Sequence, residues 1–253
     1  MASSTGSVKV YDYEDLSKLA ASAKSFQKQK YLLKTYFPRY IFANRNRHPI
    51  VLRELLMTSD SFYSSSHFLN AYQVVKELIY PRIKTLTSDK FLIATDATAN
   101  IGADAITLTL FFDRVNMIEL NQVTCDVLKN NLEVYHQAVK QYPQLIRKYR
   151  PEVIRCQDYT KVYLSLKQHL VYIDAPWGGP GYKNIRSLDL YLSSINVLKI
   201  ASDLLSKKKA LLVVLKVPFN FNFNSRYLDK VKYEVHDIIN GRKILYKIVL
   251  LTL

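Results

Sequence analysis

One loop of the sequence concentrates residues that can bind and orient a flat substrate. It starts at Asp174, directly after the apolar segment 171–173, and runs through Ala-Pro-Trp-Gly-Gly-Pro-Gly to Tyr182. Its prolines and glycines exclude a regular helix or strand, and such a rigid, costly loop usually shapes a site. Trp177, the chain's only tryptophan, offers a π-face to a planar base, and Asp174 lies within hydrogen-bond reach of the base edge. We therefore predict a base-binding pocket here, with a hydrophobic plug at the sheet edge as the alternative.

Polar and small residues also follow the other predicted strands. The loop 96–102, Asp-Ala-Thr-Ala-Asn-Ile-Gly, would let a ligand approach the backbone and accept from its N–H groups, although an ordinary tight turn fits as well. Glu119 stands where a carboxylate can hold a ribose diol, or where an acid favours a helix N-terminus. Asp158 can accept from an adenine amino group or cap a helix. The candidate cofactor-binding residues are Asp96, Thr98, Asn100, Gly102, Glu119, Asp158 and Asp174.

Alternating strand and helix patterns must position these residues. From residue 90 onward, apolar runs, small-residue turns and helical segments repeat, which predicts βαβ units around a mainly parallel, Rossmann-like α/β sheet. Asn240 and Gly241 separate the last two strands and signal an antiparallel hairpin. The predicted strands are 91–95, 115–119, 152–156, 169–174, 210–217, 231–238 and 244–251. The predicted helices are one that ends near residue 112, 122–140 and 187–206.

The first part of the chain has a different pattern. Residues 1–88 are rich in Lys and Tyr, are punctuated by prolines and show no clear strand, which predicts a helical N-terminal extension on a catalytic domain of residues 89–253. Basic and aromatic side chains that could guide RNA, or form a solvated face, are interleaved there. They are Lys24, Lys28, Lys30, Tyr31, Lys34, Tyr36, Arg39, Tyr40, Phe42, Arg45, Arg47 and Arg53.

The charge and the cysteines indicate partners and compartment. With 36 Lys and Arg against 21 Asp and Glu, the formal net charge is +15, which favours a polyanion such as nucleic acid, or serves solubility alone. Cys125 and Cys156 have no metal-ligand spacing, so we expect no metal site, two free thiols and a reducing compartment. No apolar run is long enough to span a bilayer, and residues 1–10 lack the apolar core of a signal peptide. We expect an intracellular, soluble protein of the nucleus or cytoplasm, or of a virus factory or virion if the source is viral.

The loop after Asp174 resembles the Ser-Pro-Pro-Trp-Gly-Gly-Pro motif of the trimethylguanosine synthase family, whose members methylate the guanine N2 of RNA caps. Residues 96–106, 118–135 and 156–158 resemble further segments of that family, so the resemblance covers roughly residues 35–251. It implies a class I methyltransferase fold, S-adenosylmethionine as cofactor, capped RNA as substrate, and the capping or transcription machinery as possible partners. Asp-Ala-Pro-Trp stands here where the family has Ser-Pro-Pro-Trp.

The resemblance also implies roles for individual residues. Trp177 would stack on 7-methylguanine and Asp174 would face its N2 amine. Asp96, Gly102, Glu119 and Asp158 would hold the cofactor, and a segment beginning at Phe62 would help to close the site. The candidate catalytic residues are Asp174, Pro176 and Trp177. The candidate substrate-binding residues are Trp177, Phe62, Tyr63, Ser64, Tyr182, Lys216 and Asn220.

Other functions remain open at this point. Asp174 and Lys216 also resemble two members of the Lys-Asp-Lys-Glu set of ribose 2′-O-methyltransferases, and Glu234 is the only glutamate after Trp177 that is available to complete it. Adenine N6 methyl transfer is a third activity served by loops of this type. A glycine-poor cofactor loop would also suit an inactive RNA- or cap-binding subunit, although such a subunit has no need of the acids at 96, 119 and 158.

Overall fold

A computed structural model describes residues 8–12, 14–15, 18, 54–140, 153–224 and 226–253. Its centre is a sheet of seven strands. They are β3 Ile93–Asp96, β4 Arg114–Glu119, β5 Val153–Cys156, β6 Leu170–Ile173, β9 Leu212–Val217, β10 Lys232–Asn240 and β11 Lys243–Thr252. Their order in the sheet is β10-β11-β9-β6-β3-β4-β5. The pairs β3/β4, β3/β6, β4/β5 and β6/β9 are parallel, and β11 is antiparallel to both β9 and β10. The predicted Rossmann-like fold with a C-terminal hairpin is confirmed.

The central strands β3, β6 and β9 are buried on both faces, which helices and loops cover. Alternate residues of one strand join different cores: Leu212 and Val214 lie in one cluster, whereas Val213 and Leu215 lie in the other. This two-residue alternation is what a pleated strand imposes, and burial on both sides explains the continuous apolar runs in the sequence. The sheet therefore holds the ends of its strands rigidly in place.

The helices on these faces have mostly the predicted positions. They are α4 Ala103–Thr109, α5 Gln122–Lys140 and α6 Val197–Ser206. The prediction of a helix over 187–206 was wrong in its first half, where β7 Tyr191–Leu192 and β8 Ile195–Asn196 form a small hairpin. Asn196 starts α6 instead, because its Oδ1 accepts from the backbone N–H of Leu198 at 2.8 Å. The helix therefore begins after the N-cap Asn196, although the helical pattern of the sequence begins earlier.

The described N-terminal residues pack on the same core. They form α1 Ser61–Ser64, α2 Phe68–Val74, a π-helical turn Val75–Ile79 and α3 Tyr80–Leu86. The expectation of no strand was wrong, because β1 Val10–Tyr11 pairs with β2 Met57–Thr58. Met57, Ile79 and Ile83 are fully buried in the first core cluster. The boundary between residues 88 and 89 stays a prediction, and the basic and aromatic residues from Lys24 to Arg53 lie outside the described residues.

A disulfide bond joins Cys125 in α5 to Cys156 at the end of β5. The prediction of two free thiols was therefore wrong, and the argument for a reducing compartment loses its basis. The two cysteines are 31 residues apart, and they meet because α5 packs back against the sheet beside β5. Within the described residues, no helix is both long and apolar enough to cross a membrane.

Candidate functional site

The predicted site residues gather at one edge of the sheet. Asp96 and Glu119 end β3 and β4, Asp174 directly follows β6, and Lys216 lies near the end of β9. All four strands run in the same direction, so their carboxyl ends meet at this edge. Ligands of open α/β sheets bind in the crevice that such ends form.

The loop after β3 is folded tightly on itself. Its backbone N–H groups from residue 97 to 102 all donate within the protein, to Tyr172 O, Asp96 Oδ1, Ile118 O, Glu119 Oε2, Asn100 Oδ1 and Ala99 O. These six N–H groups therefore form an ordinary tight turn, and donation to a ligand by the first N–H groups of α4 stays a prediction. Asn100 at φ 48° and Gly102 at φ 101° make the turn into α4 possible. What the loop presents to a ligand is small side chains and carboxylates.

Glu119 has both a structural and a ligand-binding capacity. Its Oε2 accepts from Asn100 N at 2.9 Å, and its Oε1 accepts from Asn121 N at 2.8 Å. Burial raises the pKa of Glu119, while these backbone donors act in the opposite direction. Each carboxylate oxygen has two lone pairs, so both oxygens can still accept a hydroxyl. The residue fits the predicted ribose contact.

Asp158 caps a short 3-10 helix, as one of its two predicted roles requires. Its Oδ1 accepts from Thr160 N and Oγ1, and its Oδ2 accepts from Ser193 Oγ at 2.6 Å. Burial alone would raise its pKa, but the hydrogen bonds from Ser193 and Thr160 outweigh it, so the pKa is lowered. Asp158 is thus a fixed, ionised acceptor beside the end of β5.

A buried network of hydrogen-bonded polar side chains lies under the loop of Asp174. Lys216 Nζ donates to Asp174 Oδ2 at 2.5 Å and to Ser66 Oγ at 2.8 Å. Ser66 Oγ in turn donates to Asp104 Oδ2 at 2.6 Å. The side chains of Lys216 and Asp174 are only 6% and 15% exposed, so the ion pair is largely shielded from water. This network connects the N-terminal segment, α4 and the ends of β6 and β9.

Burial and charge act in opposite directions on this pair. Burial raises the pKa of Asp174 to about 6, although Lys216 lowers it. Burial works against the charged ammonium of Lys216, but Asp174 and then Asp104 outweigh it and raise its pKa. Asp96 is almost completely buried, and desolvation followed by repulsion from Asp104 raises its pKa well above the usual value. The site therefore carries an excess of carboxylates that a cationic ligand would relieve.

Trp177 lies beside the ion pair of Lys216 and Asp174. Its ring centroid is 5.9 Å from Lys216 Nζ and 5.1 Å from the ring of Tyr182, which meets it edge-on. The indole N–H is buried and lowers the pKa of Asp174, yet it forms no hydrogen bond of regular geometry with the described residues. Pro176 is exposed beside it. Trp177 also packs against both core clusters, so the plug interpretation is correct for part of its surface.

The remaining predicted substrate residues have several positions. Asn220 is buried and holds the loop, because its Nδ2 donates to Tyr182 O and Ile185 O. Ser64 Oγ accepts from Asn100 Nδ2 at 2.8 Å, which ties α1 to the loop after β3. Phe62 packs on Tyr11 at 5.4 Å between ring centroids. The side chain of Tyr63 is outside the described residues.

Sequence reasoning missed two contributors to this site, Ser66 and Asp104, and one contact of Thr98. Ser66 and Asp104 complete the buried network. Thr98 Oγ1 accepts from Asp174 N at 2.9 Å, which fixes the start of the loop. Thr98 was predicted only as a cofactor residue. No local pattern marks Ser66, whose partners are 38 and 150 residues away along the chain.

Comparisons with known proteins agree with this geometry. Residues 92–247 match the family model described as RNA cap guanine-N2 methyltransferase. An uncharacterized protein of Acanthamoeba polyphaga mimivirus is 30% identical over 148 residues, which cover 56% of this chain. The chain spans about half the length of that relative, namely 52%.

One solved structure shares the fold, and a second has a lower similarity. A "putative methyltransferase" from Porphyromonas gingivalis superposes with a TM-score of 0.51 at 12% identity, covering 77% of this chain and 42% of that one. A Streptococcus mutans protein solved in complex with SAH gives a TM-score of 0.41 at 16% identity, with 70% and 96% covered. The family model spans more than half of the chain, and its match includes the whole carboxyl edge from Asp96 to Lys216. The chain therefore belongs to the RNA cap guanine-N2 methyltransferase family.

Proposed function

We propose that the protein transfers a methyl group from S-adenosylmethionine to the N2 amine of a 7-methylguanosine RNA cap. The observation that carries this proposal is the pairing of Trp177 with Asp174 at the end of β6, where a flat aromatic face stands beside a buried carboxylate. A guanine stacked on the indole would present its amino edge to such an acceptor. The family description supports the same reaction.

The carboxyl edge suits S-adenosylmethionine, which supplies an electrophilic methyl group when bound. Glu119 would hold the ribose diol, and Asp158 would accept from the adenine amine. Asp96, Asp104 and Asp174 repel one another, so a ligand with positive groups would be favoured here.

Asp174 needs to act as an acceptor rather than as a strong base. An exocyclic amine requires orientation, and loss of a proton during or after transfer, more than a powerful base. Lys216 holds Oδ2 of Asp174, so Oδ1 is the oxygen that would accept from the N2 amine. The positive charge of 7-methylguanine would add a cation–π attraction to Trp177.

One observation favours ribose 2′-O transfer as the second candidate. Lys216 and Asp174 form the lysine–aspartate pair that the resemblance to that class requires. The glutamate of the set has no counterpart in the pocket, because Glu234 lies on the edge strand β10 and pairs with Arg82 at 2.9 Å. The set is therefore incomplete among the described residues.

The decisive experiment measures methyl transfer from labelled S-adenosylmethionine to 7-methylguanosine diphosphate, 7-methylguanosine-capped RNA and uncapped RNA. We expect label on the cap guanine with the first two substrates, loss of transfer in Trp177→Ala and partial retention in Trp177→Phe, which keeps an aromatic face. Digestion of the product to nucleosides locates the label.

Each other outcome supports a different function. Label on a ribose, with none on the free cap nucleotide, would support 2′-O transfer. Transfer to adenine in uncapped RNA would support an N6 activity. Cap binding without transfer and without cofactor binding would leave an inactive cap-binding subunit.

A further inference from the structure

An exposed aromatic and basic surface continues outward from Trp177. We call it the outer surface, and it consists of Tyr182, Lys183, Ile185, Arg186 and Phe219. Phe219 is 46% exposed and Ile185 is 44% exposed, and both basic side chains face solvent. Single exposed apolar side chains are ordinary, but these form a group beside a predicted substrate pocket.

The outer surface is held rigidly. Asn220 is 9% exposed, and its Nδ2 donates to Tyr182 O at 2.8 Å and to Ile185 O at 2.6 Å. A parallel bridge between Leu188 and Phe221 joins the same two segments. Phe219 is therefore presented on a fixed turn after β9, so binding a ligand there costs little conformational entropy.

The aromatic rings connect this surface to the pocket. The ring of Tyr182 is 5.1 Å from that of Trp177 and 6.3 Å from that of Phe219. Lys183 Nζ lies 5.8 Å from the Tyr182 ring. An RNA whose guanine lies on Trp177 would therefore meet Tyr182 and then, farther out, the exposed ring of Phe219.

The charge of the surface is complementary to phosphate. Residues 175–188 contain Lys183 and Arg186 and no acidic residue, and residues 218–228 contain Arg226 and no acidic residue. Both segments are thus cationic in themselves, with Asp189 and Asp229 directly after them, and Asp189 accepts a hydrogen bond from Asn222. Alternating aromatic and cationic side chains are the usual surface for single-stranded nucleic acid.

We propose that the outer surface binds the first nucleotide of the RNA chain beyond the cap, with its base on Phe219 and the adjoining phosphates against Lys183 and Arg186. The proposal rests on the cap as the acceptor site, and it assigns a further binding site to the nucleotide that follows. It makes capped RNA, rather than the free cap nucleotide, the preferred substrate.

The test compares wild type, Phe219→Ala and Phe219→Tyr on 7-methylguanosine diphosphate and on a 7-methylguanosine-capped oligoribonucleotide. In Phe219→Ala we expect kcat/KM on the capped oligonucleotide to fall roughly tenfold through KM, the value on the free nucleotide to change by less than about twofold, and Phe219→Tyr to retain most of the preference. Val235→Ala is the control, because Val235 is 41% exposed and pairs with Val249 on the edge strand β10, which is two strands away from β9. It should change neither value.

Binding measured without turnover separates this proposal from the reaction itself. Fluorescence anisotropy should show weaker binding of the capped oligonucleotide by Phe219→Ala even if the wild type proves to methylate another atom. A double variant of Lys183→Ala and Arg186→Ala should reduce the salt dependence of that binding by about one unit of log–log slope per lysine or arginine removed. Equal losses on both substrates, or no loss on the oligonucleotide, would overturn the proposal, and the latter result would favour a protein partner for this surface.

Discussion

At the level of single residues, the ionisation of Asp174 decides how well the pocket can accept from an amine. Burial raises its pKa to about 6, and Lys216 prevents a larger rise. The carboxylate form, which the proposed reaction uses, is therefore populated above about pH 6 and lost below it. Burial of Asp174 favours its neutral form, and the ion pair with Lys216 favours its charged form.

The first prediction follows from this pair. The substitution Lys216→Met removes the positive charge that lowers the pKa of Asp174. The acid limb of the plot of kcat/KM against pH should therefore move to higher pH by about 1–3 pH units. The pH–rate profile of purified variants, at saturating S-adenosylmethionine, measures the shift. Lys216→Arg retains the charge and serves as the control, and its acid limb should stay near that of the wild type. An unchanged limb in Lys216→Met would show that Asp174 does not control the rate.

At the level of elements, the turn from β3 into α4 depends on one glycine. Gly102 has a φ of 101°, and a Cβ there would lie 2.8 Å from Leu128 Cδ1 and 3.3 Å from Ile106 Cδ1. We expect Gly102→Ala to lower the free energy of unfolding by about 2–3 kcal/mol, since it combines backbone strain with a steric clash.

Gly181 offers a matched control for this change. A Cβ at Gly181 meets nothing within 4 Å, and its φ lies outside the left-handed region. Gly181→Ala should therefore change the free energy of unfolding by less than about 0.5 kcal/mol. Urea unfolding of both variants checks the pair, and equal losses would mean that the clash at Gly102 is relieved by movement of Leu128.

The disulfide supports a second element-scale prediction. Cys125–Cys156 ties α5 to the end of β5, two residues before Asp158 and beside Glu119 in the register of β4 and β5. Closing a loop of this length stabilises a fold by about 3–4 kcal/mol in the chain-entropy model. A reducing agent should lower the unfolding free energy of the wild type by this order and should weaken S-adenosylmethionine binding.

The double variant Cys125→Ser with Cys156→Ser is the control for that experiment. It should resemble the reduced wild type and should not respond to the reducing agent. Mass spectrometry of the alkylated protein reports whether the thiols are paired. If the reduced wild type binds the cofactor with unchanged affinity, the segment of Asp158 is held by its other contacts.

At the level of the whole molecule, the net charge of +15 predicts how RNA binding responds to salt. Each phosphate that is neutralised releases counterions, so the affinity for RNA should fall roughly tenfold or more between 50 and 200 mM salt. The affinity for S-adenosylmethionine, for which we propose a site among buried carboxylates, should change by less than about twofold. Titrations of both ligands across this range measure the contrast, and parallel changes would argue against extensive phosphate contacts.

The sequence predicted the elements well wherever local patterns were strong. All seven strands of the main sheet and the helix 122–140 lie within a few residues of their predicted positions, because apolar runs and the Asn240-Gly241 turn specify them locally. The hairpin at 191–196 was missed because its two-residue strands lie inside a helical pattern. The disulfide was missed because only packing brings α5 against β5.

The amino-acid sequence by itself determined the sheet, the carboxylates at its strand ends and the loop with Trp177, since each depends on residue types at fixed spacing along neighbouring positions. Only the tertiary structure decided how these groups are paired. Lys216, Ser66 and Asp104 come from three distant parts of the chain, and they meet because the parallel strands align their ends and the N-terminal segment packs beside α4. The ionisation of Asp174 depends on burial and on these partners, neither of which has a local signature in sequence.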